Sequence, residues 1–185
     1  MPVWRPTARL LLLDPAERVL LFGGQEAGRQ FWFTPGGGVR RGESLTAAGV
    51  RELAEETGIV RAEAELGPVV ATSTERWRGG DTDFFGADSF FLLRVADTDI
   101  DTSRMEELER SVITELRWWS AAELAATLDE VYPVGLGGLL ERLTRDGVPD
   151  RPVRLPWLGL QDGADGAVGG GVEHRGLWPE VAHRG

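Results

Sequence analysis

Residues 37–59 of this 185-residue chain read GGVRRGESLTAAGVRELAEETGI. Ser44 is a typical N-cap and Gly58 stands where a helix commonly ends, so the pattern predicts a helix from Ser44 to about Thr57. At about 100° per residue, the apolar and acidic residues of this helix fall on roughly opposite sides. One side comprises Ala47, Val50, Leu53, Ala54 and Thr57, and the other comprises Glu52, Glu55 and Glu56.

The acidic side of the predicted helix calls for a counterion. Residues three and four positions apart are neighbours on a helix surface, and like charges there are destabilising. Arg51 neutralises only part of this charge, whereas Mg²⁺ or Mn²⁺ favours carboxylate oxygens. The competing interpretation is a solvated acidic face, and the helix alone leaves both interpretations open.

A glycine-rich loop, Pro35 to Gly42, leads into the helix. Glycine lets the backbone approach a ligand closely, so the loop favours a binding site at this end of the helix. Glu43 lies just before the N-cap. There it either reaches towards the loop and the metal cluster or complements the helix dipole, and both roles stay open.

Around this segment, short apolar or aromatic runs bounded by proline and glycine predict strands. The predicted strands are residues 8–13, 18–22, 31–34, 67–77, 84–95 and 114–119. Ser120 and Glu123 form a capping box that predicts a helix towards Leu128, and a last helix is predicted from Pro133 to about Asp146. Strands, one central helix, more strands and terminal helices together predict an α/β sandwich on a mixed sheet.

The quoted segment resembles the Nudix box, G-x5-E-x7-R-E-U-x-E-E-x-G-U, where U is a bulky aliphatic residue. The matching residues, without a gap or substitution, are Gly37, Glu43, Arg51, Glu52, Leu53, Glu55, Glu56, Gly58 and Ile59. From average residue usage, the odds of a chance match at a given start are on the order of 10⁻⁹ or less. The resemblance implies a Nudix-type α/β/α sandwich with a mixed central β-sheet over residues 1–156. Residues 157–185 are predicted to form a glycine-rich C-terminal tail.

Nudix hydrolases cleave nucleoside diphosphates linked to another moiety, by attack of water on phosphorus with Mg²⁺ or Mn²⁺ as cofactor. The resemblance implies that Glu52, Glu55, Glu56 and the backbone of Gly37 hold the metal. It also implies that Glu52 and Glu56 are catalytic, with Glu52 the first candidate for orienting or deprotonating the water. Arg51 would act beside them by holding the glutamates in place through an ion pair.

Further residues are assigned supporting and substrate-binding roles. The resemblance implies that Glu43 supports the metal site. In some family members the base is a glutamate on a later loop, and Glu109 is the candidate for that role here. The competing interpretation is that Glu109 is an exposed helix residue without a catalytic role. Trp77 and Phe33 are candidates for stacking on a nucleotide base, although aromatic residues on strands of a small domain more often pack inside.

The composition limits the partners. The absence of cysteine excludes disulfides, thiolate zinc sites and cysteine nucleophiles. Thirty acidic residues and 20 arginines give a formal charge of −10, which disfavours nucleic acid and anionic membranes as partners. We expect a small nucleotide derivative as substrate, a cytoplasmic location and no membrane span, with a homodimer allowed. The alternatives are a Nudix-fold nucleotide-binding or regulatory module without turnover, and a hydrolase of RNA 5′ ends.

Overall fold

The structure, a computed structural model, describes residues 2–79 and 81–156, without the side chains of residues 75–79 and 108. The strands are β1 (Val3–Leu13), β2 (Val19–Glu26), β3 (Arg29–Phe33), β4 (Gly36–Gly38), β5 (Val69–Gly79), β6 (Thr82–Arg94), β7 (Ile113–Trp119), β8 (Glu130–Tyr132) and β9 (Val153–Arg154). The helices are α1 (Leu45–Thr57), α2 (Glu107–Val112), α3 (Ala121–Ala126) and α4 (Leu136–Asp146).

The strands form one mixed sheet in the order β8-β3-β2-β1-β6-β5-β9. The pairs β1–β6, β3–β8 and β5–β9 are parallel, and the other pairs are antiparallel. Strands β1 and β2 pair at Leu13 and Val19 only, and residues 7–9 of β1 pair with β4 instead. The glycine-rich loop is thereby held against the first half of β1, beside α1.

The core lies on both faces of this sheet. Leu10 and Leu12 of β1 pack with Leu53 of α1, whereas Leu11 and Leu13 pack on the other face with the leucines of α4. A strand covered on both faces is a continuous apolar run rather than an alternating one, which explains the four consecutive leucines. The predicted α/β/α sandwich with a mixed sheet is confirmed.

Helix α1 begins and ends as its sequence predicts. The hydroxyl of Ser44 accepts a hydrogen bond from the Ala47 N–H, and Gly58 ends the helix with φ 72°. The predicted separation of the helix into an apolar and an acidic side is wrong in one respect, because Glu52 and Glu56 are buried together with Leu53, whereas Glu55 is partly exposed. Strand β4 and Glu109 of α2 lie against Glu52 and Glu56, which takes these two carboxylates out of water.

The other predicted elements are confirmed with shifted ends, and several short elements were not predicted, among them a 3₁₀ helix at Glu63–Glu65. Strands β4, β8 and β9 have two or three residues each, and α2 has six, so none shows a period. The last helix begins at Leu136 rather than Pro133, because Gly135 before it adopts φ 81°.

No helix in the described part of the chain is long and apolar enough to cross a membrane. The tail predicted for residues 157–185 lies outside the described residues.

Candidate active site

Three carboxylates from two helices meet beside β4. Glu52 and Glu56 come from α1 and Glu109 comes from α2, and one oxygen of each lies within 4.8 Å of the others. We call these three residues the carboxylate cluster. Glu52 is 5% exposed and Glu56 3%, so two of the three charges are taken out of water. Glu52 and Glu56 are four residues apart, which places them on one side of the helix.

Burial and mutual repulsion raise the pKa of every member of the cluster. Burial raises the pKa of Glu56 well above its usual range, and the charges of Glu52 and Glu109 raise it further. Burial also raises the pKa of Glu52, although the Arg51 guanidinium partly opposes it. The pKa of Glu109 rises to about 7, through burial and the charge of Glu52. The folded protein therefore carries negative charge that its own groups leave poorly compensated.

The glycine loop packs directly on these carboxylates. The Gly36 N–H donates a hydrogen bond of 2.5 Å to Glu56 Oε2. A Cβ atom on Gly37 would lie 2.5 Å from Glu52 Oε1, so only glycine leaves room for that carboxylate. Gly37 itself pairs with Ala8 of β1, which fixes the backbone predicted to contribute to the metal site.

Arg51 is the centre of an ion-pair network at the side of the cluster. Its guanidinium contacts Glu43 at 2.8 Å, Glu52 at 2.6 Å and Glu55 at 3.0 Å, and it donates to the Gly38 carbonyl at 3.0 Å. Burial works against the charge of Arg51, but its bonds to Glu43 and Glu52 outweigh this and raise its pKa. The structure therefore places Arg51 where it can hold the glutamates in position.

Glu43 and Glu55 lie at this network rather than in the cluster. Glu43 pairs with Arg51 and accepts a hydrogen bond from the Arg40 N–H, and the bond from Arg51 lowers its pKa. Glu55 contacts Arg51 and, at 3.8 Å, Arg40. Three glutamates of α1 were predicted to act together. Glu52 and Glu56 lie together in the carboxylate cluster, whereas Glu55 contacts Arg51 and Arg40 instead.

The structure describes the side chain of Phe33 but only the backbone of Trp77. Phe33 is 7% exposed and packs beside Phe22 and Phe31 in the core, so its ring offers little surface to a nucleotide. The backbone of Trp77 is part of β5 and pairs with Phe84, but its side chain lies outside the described residues.

Arg9 is a residue near the site that the sequence analysis missed. It lies on β1, it is 5% exposed, and it donates to the Gly36 carbonyl at 2.6 Å. Its Nε lies 3.6 Å from Asp88 on β6. The signal that could have identified it is a single charged residue in the otherwise apolar run from Ala8 to Leu13.

The donor set of the carboxylate cluster suits a hard divalent cation. Mg²⁺ and Mn²⁺ prefer carboxylate oxygens, and three such oxygens converge here within 4.8 Å. A cation between them would offset the repulsion that raises the pKa of Glu56. Glu52, Glu56 and Glu109 are therefore the residues that fit a metal.

Comparisons with known proteins identify a family for the chain. A model of the NUDIX domain matches residues 3–135. The chain is 30% identical over 139 residues to a protein of Roseobacter denitrificans named RNA pyrophosphohydrolase, over 68% of this chain and 82% of that protein.

Two solved structures have the same fold. The MutT protein from Methanosarcina mazei Go1 superimposes with a TM-score of 0.51 at 21% identity, over 78% of this chain and 95% of that chain. The E. coli dihydroneopterin triphosphate pyrophosphohydrolase superimposes with a TM-score of 0.54 at 19% identity, over 76% of this chain and 96% of that chain. At these identities the likeness is evidence for the fold.

Proposed function

The chain belongs to the Nudix family and is a hydrolase acting on pyrophosphate bonds, and on this premise we propose a finer activity. It cleaves the pyrophosphate linkage of a nucleoside diphosphate joined to another moiety, with Mg²⁺ or Mn²⁺ as cofactor. The observation that carries this proposal is the carboxylate cluster, whose oxygens lie within 4.8 Å of one another. The cation also explains how a chain of charge −10 takes an anionic substrate.

Glu52 and Glu56 hold the metal in this proposal, and Glu109 completes the carboxylate cluster beside them. When bound, the metal neutralises charge on the phosphoryl oxygens and lowers the pKa of a coordinated water. Phosphoryl transfer depends mostly on positioning and charge stabilisation, so the protein contributes by fixing these carboxylates. Arg51 does so for Glu52, and the Gly36 N–H does so for Glu56.

We propose Glu109 as the group that takes the proton from the attacking water. The sequence favoured Glu52, but Glu52 is buried and its Oε1 already accepts a bond from Arg51. Glu109 is only partly buried, and its carboxylate lies beside those of Glu52 and Glu56, so it can accept a proton from a water next to them. Replacing Glu109 with glutamine would then remove the acidic limb of the pH profile of kcat, whereas Glu52→Gln would lower kcat and keep that limb.

A panel of nucleotide derivatives, assayed for product release with Mg²⁺ and Mn²⁺, tests the proposal. Glu56→Gln keeps the shape of the side chain and removes its charge, so we expect kcat/KM to fall about a thousandfold or more. Glu141→Gln is the matched control, because Glu141 is exposed on α4. Equal rates for wild type and Glu56→Gln would reject the metal role. Tight nucleotide binding without any product would instead favour a binding module without turnover.

The relative named RNA pyrophosphohydrolase supports RNA 5′ ends as a second candidate substrate. The charge of −10 weighs against it, because the protein repels a polyanion on average. Triphosphorylated RNA and a free nucleotide of the same 5′ residue should be compared at two salt concentrations. A preference for the RNA that fades with salt would identify RNA as the substrate.

The two aromatic candidates remain proposals for substrate contact. If Trp77 stacks on a base, Trp77→Ala raises KM and leaves kcat close to wild type. Phe33→Leu changes the core around Phe22 and Phe31. We therefore expect it to lower the melting temperature and to leave KM close to wild type.

A further inference from the structure

Arg9 is a buried charged residue directly before an apolar run on β1. Leu10 to Leu13 follow it on β1 and are all buried, and Arg9 itself is 5% exposed. Among the described residues, it is the basic residue in the buried set, which otherwise contains acidic and hydroxyl side chains. An ion pair taken out of water often contributes no more stability than well-packed apolar residues of similar volume. Stability alone therefore does not account for an arginine at this position.

The guanidinium of Arg9 is fixed at one end by β6. Its Nε lies 3.6 Å from Asp88 Oδ1. Asp88 is held in turn by the hydroxyl of Ser73 at 3.2 Å and by the hydroxyl of Thr7. Because Asp88 is bonded from both neighbouring strands, the Arg9 side chain has an anchored partner and does not depend on solvent for its orientation.

The other end of the guanidinium holds the glycine loop. Arg9 Nη1 donates to the Gly36 carbonyl at 2.6 Å. The N–H of the same glycine donates to Glu56 Oε2 at 2.5 Å. Gly36 adopts φ 119°, a conformation that side chains disfavour, and a Cβ there would lie 2.1 Å from the Ala8 carbonyl oxygen. This N–H belongs to the Pro35–Gly36 peptide, whose carbonyl accepts a hydrogen bond from the Leu10 N–H at 2.9 Å. Arg9 holds the peptide that follows, so β1 fixes Gly36 from both sides.

We propose that Arg9 is a positioning residue for the carboxylate cluster, acting on Glu56 through Gly36. Asp88 fixes Arg9, and Arg9 holds the peptide after Gly36 while the Leu10 N–H holds the peptide before it. The Gly36 N–H then fixes Glu56 in the orientation that binds the metal. This inference rests on the proposed metal role of Glu56. It makes metal binding depend on Arg9 of β1 and Asp88 of β6, which lie outside the Nudix box.

The experiment measures Mn²⁺ binding to the full-length protein by calorimetry, without any substrate. Arg9→Lys keeps the positive charge but cannot contact Asp88 and Gly36 with two ends of a planar group. We expect its Mn²⁺ dissociation constant to rise at least tenfold, the usual effect of losing a group that orients a metal ligand. Asp88→Asn, which keeps Arg9 but removes the charge that anchors it, should weaken binding in the same direction by a smaller factor.

Arg18→Lys is the matched control. Arg18 also pairs with a buried carboxylate, Asp14, at 2.6 Å, but this pair closes the turn between β1 and β2. We expect its Mn²⁺ affinity to stay within twofold of wild type, even where the melting temperature falls.

Amide hydrogen exchange of the metal-free protein supplies a second readout. In Arg9→Lys the Gly36 amide should exchange at least tenfold faster than in wild type, while the Leu53 amide in the middle of α1 keeps its rate. A purely structural role would change both amides together or neither, and either result would overturn the inference.

The binding data separate the two levels of the proposal. Wild-type binding that Glu56→Gln weakens and Arg9→Lys leaves within twofold refutes the role of Arg9 and keeps the metal site. Tighter binding by Arg9→Lys also refutes it. If Glu56→Gln binds Mn²⁺ as wild type does, the proposed function fails and this inference fails with it.

Discussion

Gly37→Ala should disable the site while sparing the fold. The added Cβ would lie 2.5 Å from Glu52 Oε1 and 2.9 Å from the carboxyl carbon. Ordinary contact begins at 3.4 Å, so the Glu52 carboxylate has to move by about 1 Å. A displacement of this size at a reacting centre can cost about a hundredfold in rate. The atom that gives way is the end of a side chain, so the backbone of β4 keeps its pairing with Ala8.

Two other glycines of the same loop serve as controls. In Gly36→Ala the Cβ would lie 2.1 Å from the Ala8 carbonyl oxygen, and φ 119° adds backbone strain. We expect that variant to lose roughly 2 to 6 kcal/mol of stability. Gly42 has φ 81° with open space around its Cβ, so Gly42→Ala should cost about 1 kcal/mol and keep full Mn²⁺ affinity.

The assay combines thermal melts, Mn²⁺ calorimetry and kcat/KM on the substrate that the panel identifies. For Gly37→Ala we expect a melting temperature within a few degrees of wild type and a kcat/KM about a hundredfold lower. Wild-type activity in Gly37→Ala would refute the argument, because it would mean that Glu52 need not occupy the position it has against the loop. A loss of activity that only follows a loss of folding would refute it as well.

Three further outcomes follow from the charges at and away from the site. In EDTA, Glu109 contributes stability that is complete below about pH 4.5 and is lost as the pH rises to about 7, because its folded pKa lies above its unfolded value. Urea titrations across this pH range should show the slope of the unfolding free energy flattened in Glu109→Gln. Arg51→Met should cost about 3 to 5 kcal/mol by leaving Glu43 and Glu52 without their partner, and Mg²⁺ should restore part of the melting temperature. Asp14→Ala removes the acceptor of the Ala16 N–H and of the Arg18 N–H and guanidinium, and should cost roughly 2 to 4 kcal/mol with unchanged Mn²⁺ affinity.

Helix α1 was predictable because its signals are local. The N-cap Ser44, the αL residue Gly58 and the apolar period all lie within the helix or next to it. Strand β4 was not predictable in the same way, since three glycines are typical of a turn. They form a strand because their backbone pairs with residues 7–9 of β1, a contact that no side-chain pattern records.

The grouping of the acidic residues was only half predictable. Helical geometry places Glu52 and Glu56 together, but it does not say that Glu109 from α2 completes the set. That depends on how α2 packs, which is set by contacts distant in sequence. The same limit applies to Glu55, whose neighbours on the helix suggest a metal ligand, while Arg51 and Arg40 actually contact it.

The distribution of cations explains why the metal belongs at one particular part of this acidic surface. Arg51 is shared between Glu43, Glu52 and Glu55, so the carboxylates on the outer side of the helix have a direct cationic partner. Glu56 and Glu109 lie on the inner side, where burial and the charge of Glu52 raise the pKa of both. If the helix were merely a solvated acidic face, its excess charge would be spread over the exposed glutamates. It is concentrated instead at Glu56 and Glu109. Adding Mg²⁺ should therefore raise the melting temperature of wild type, and this gain should disappear in Glu56→Gln and persist in Glu55→Gln.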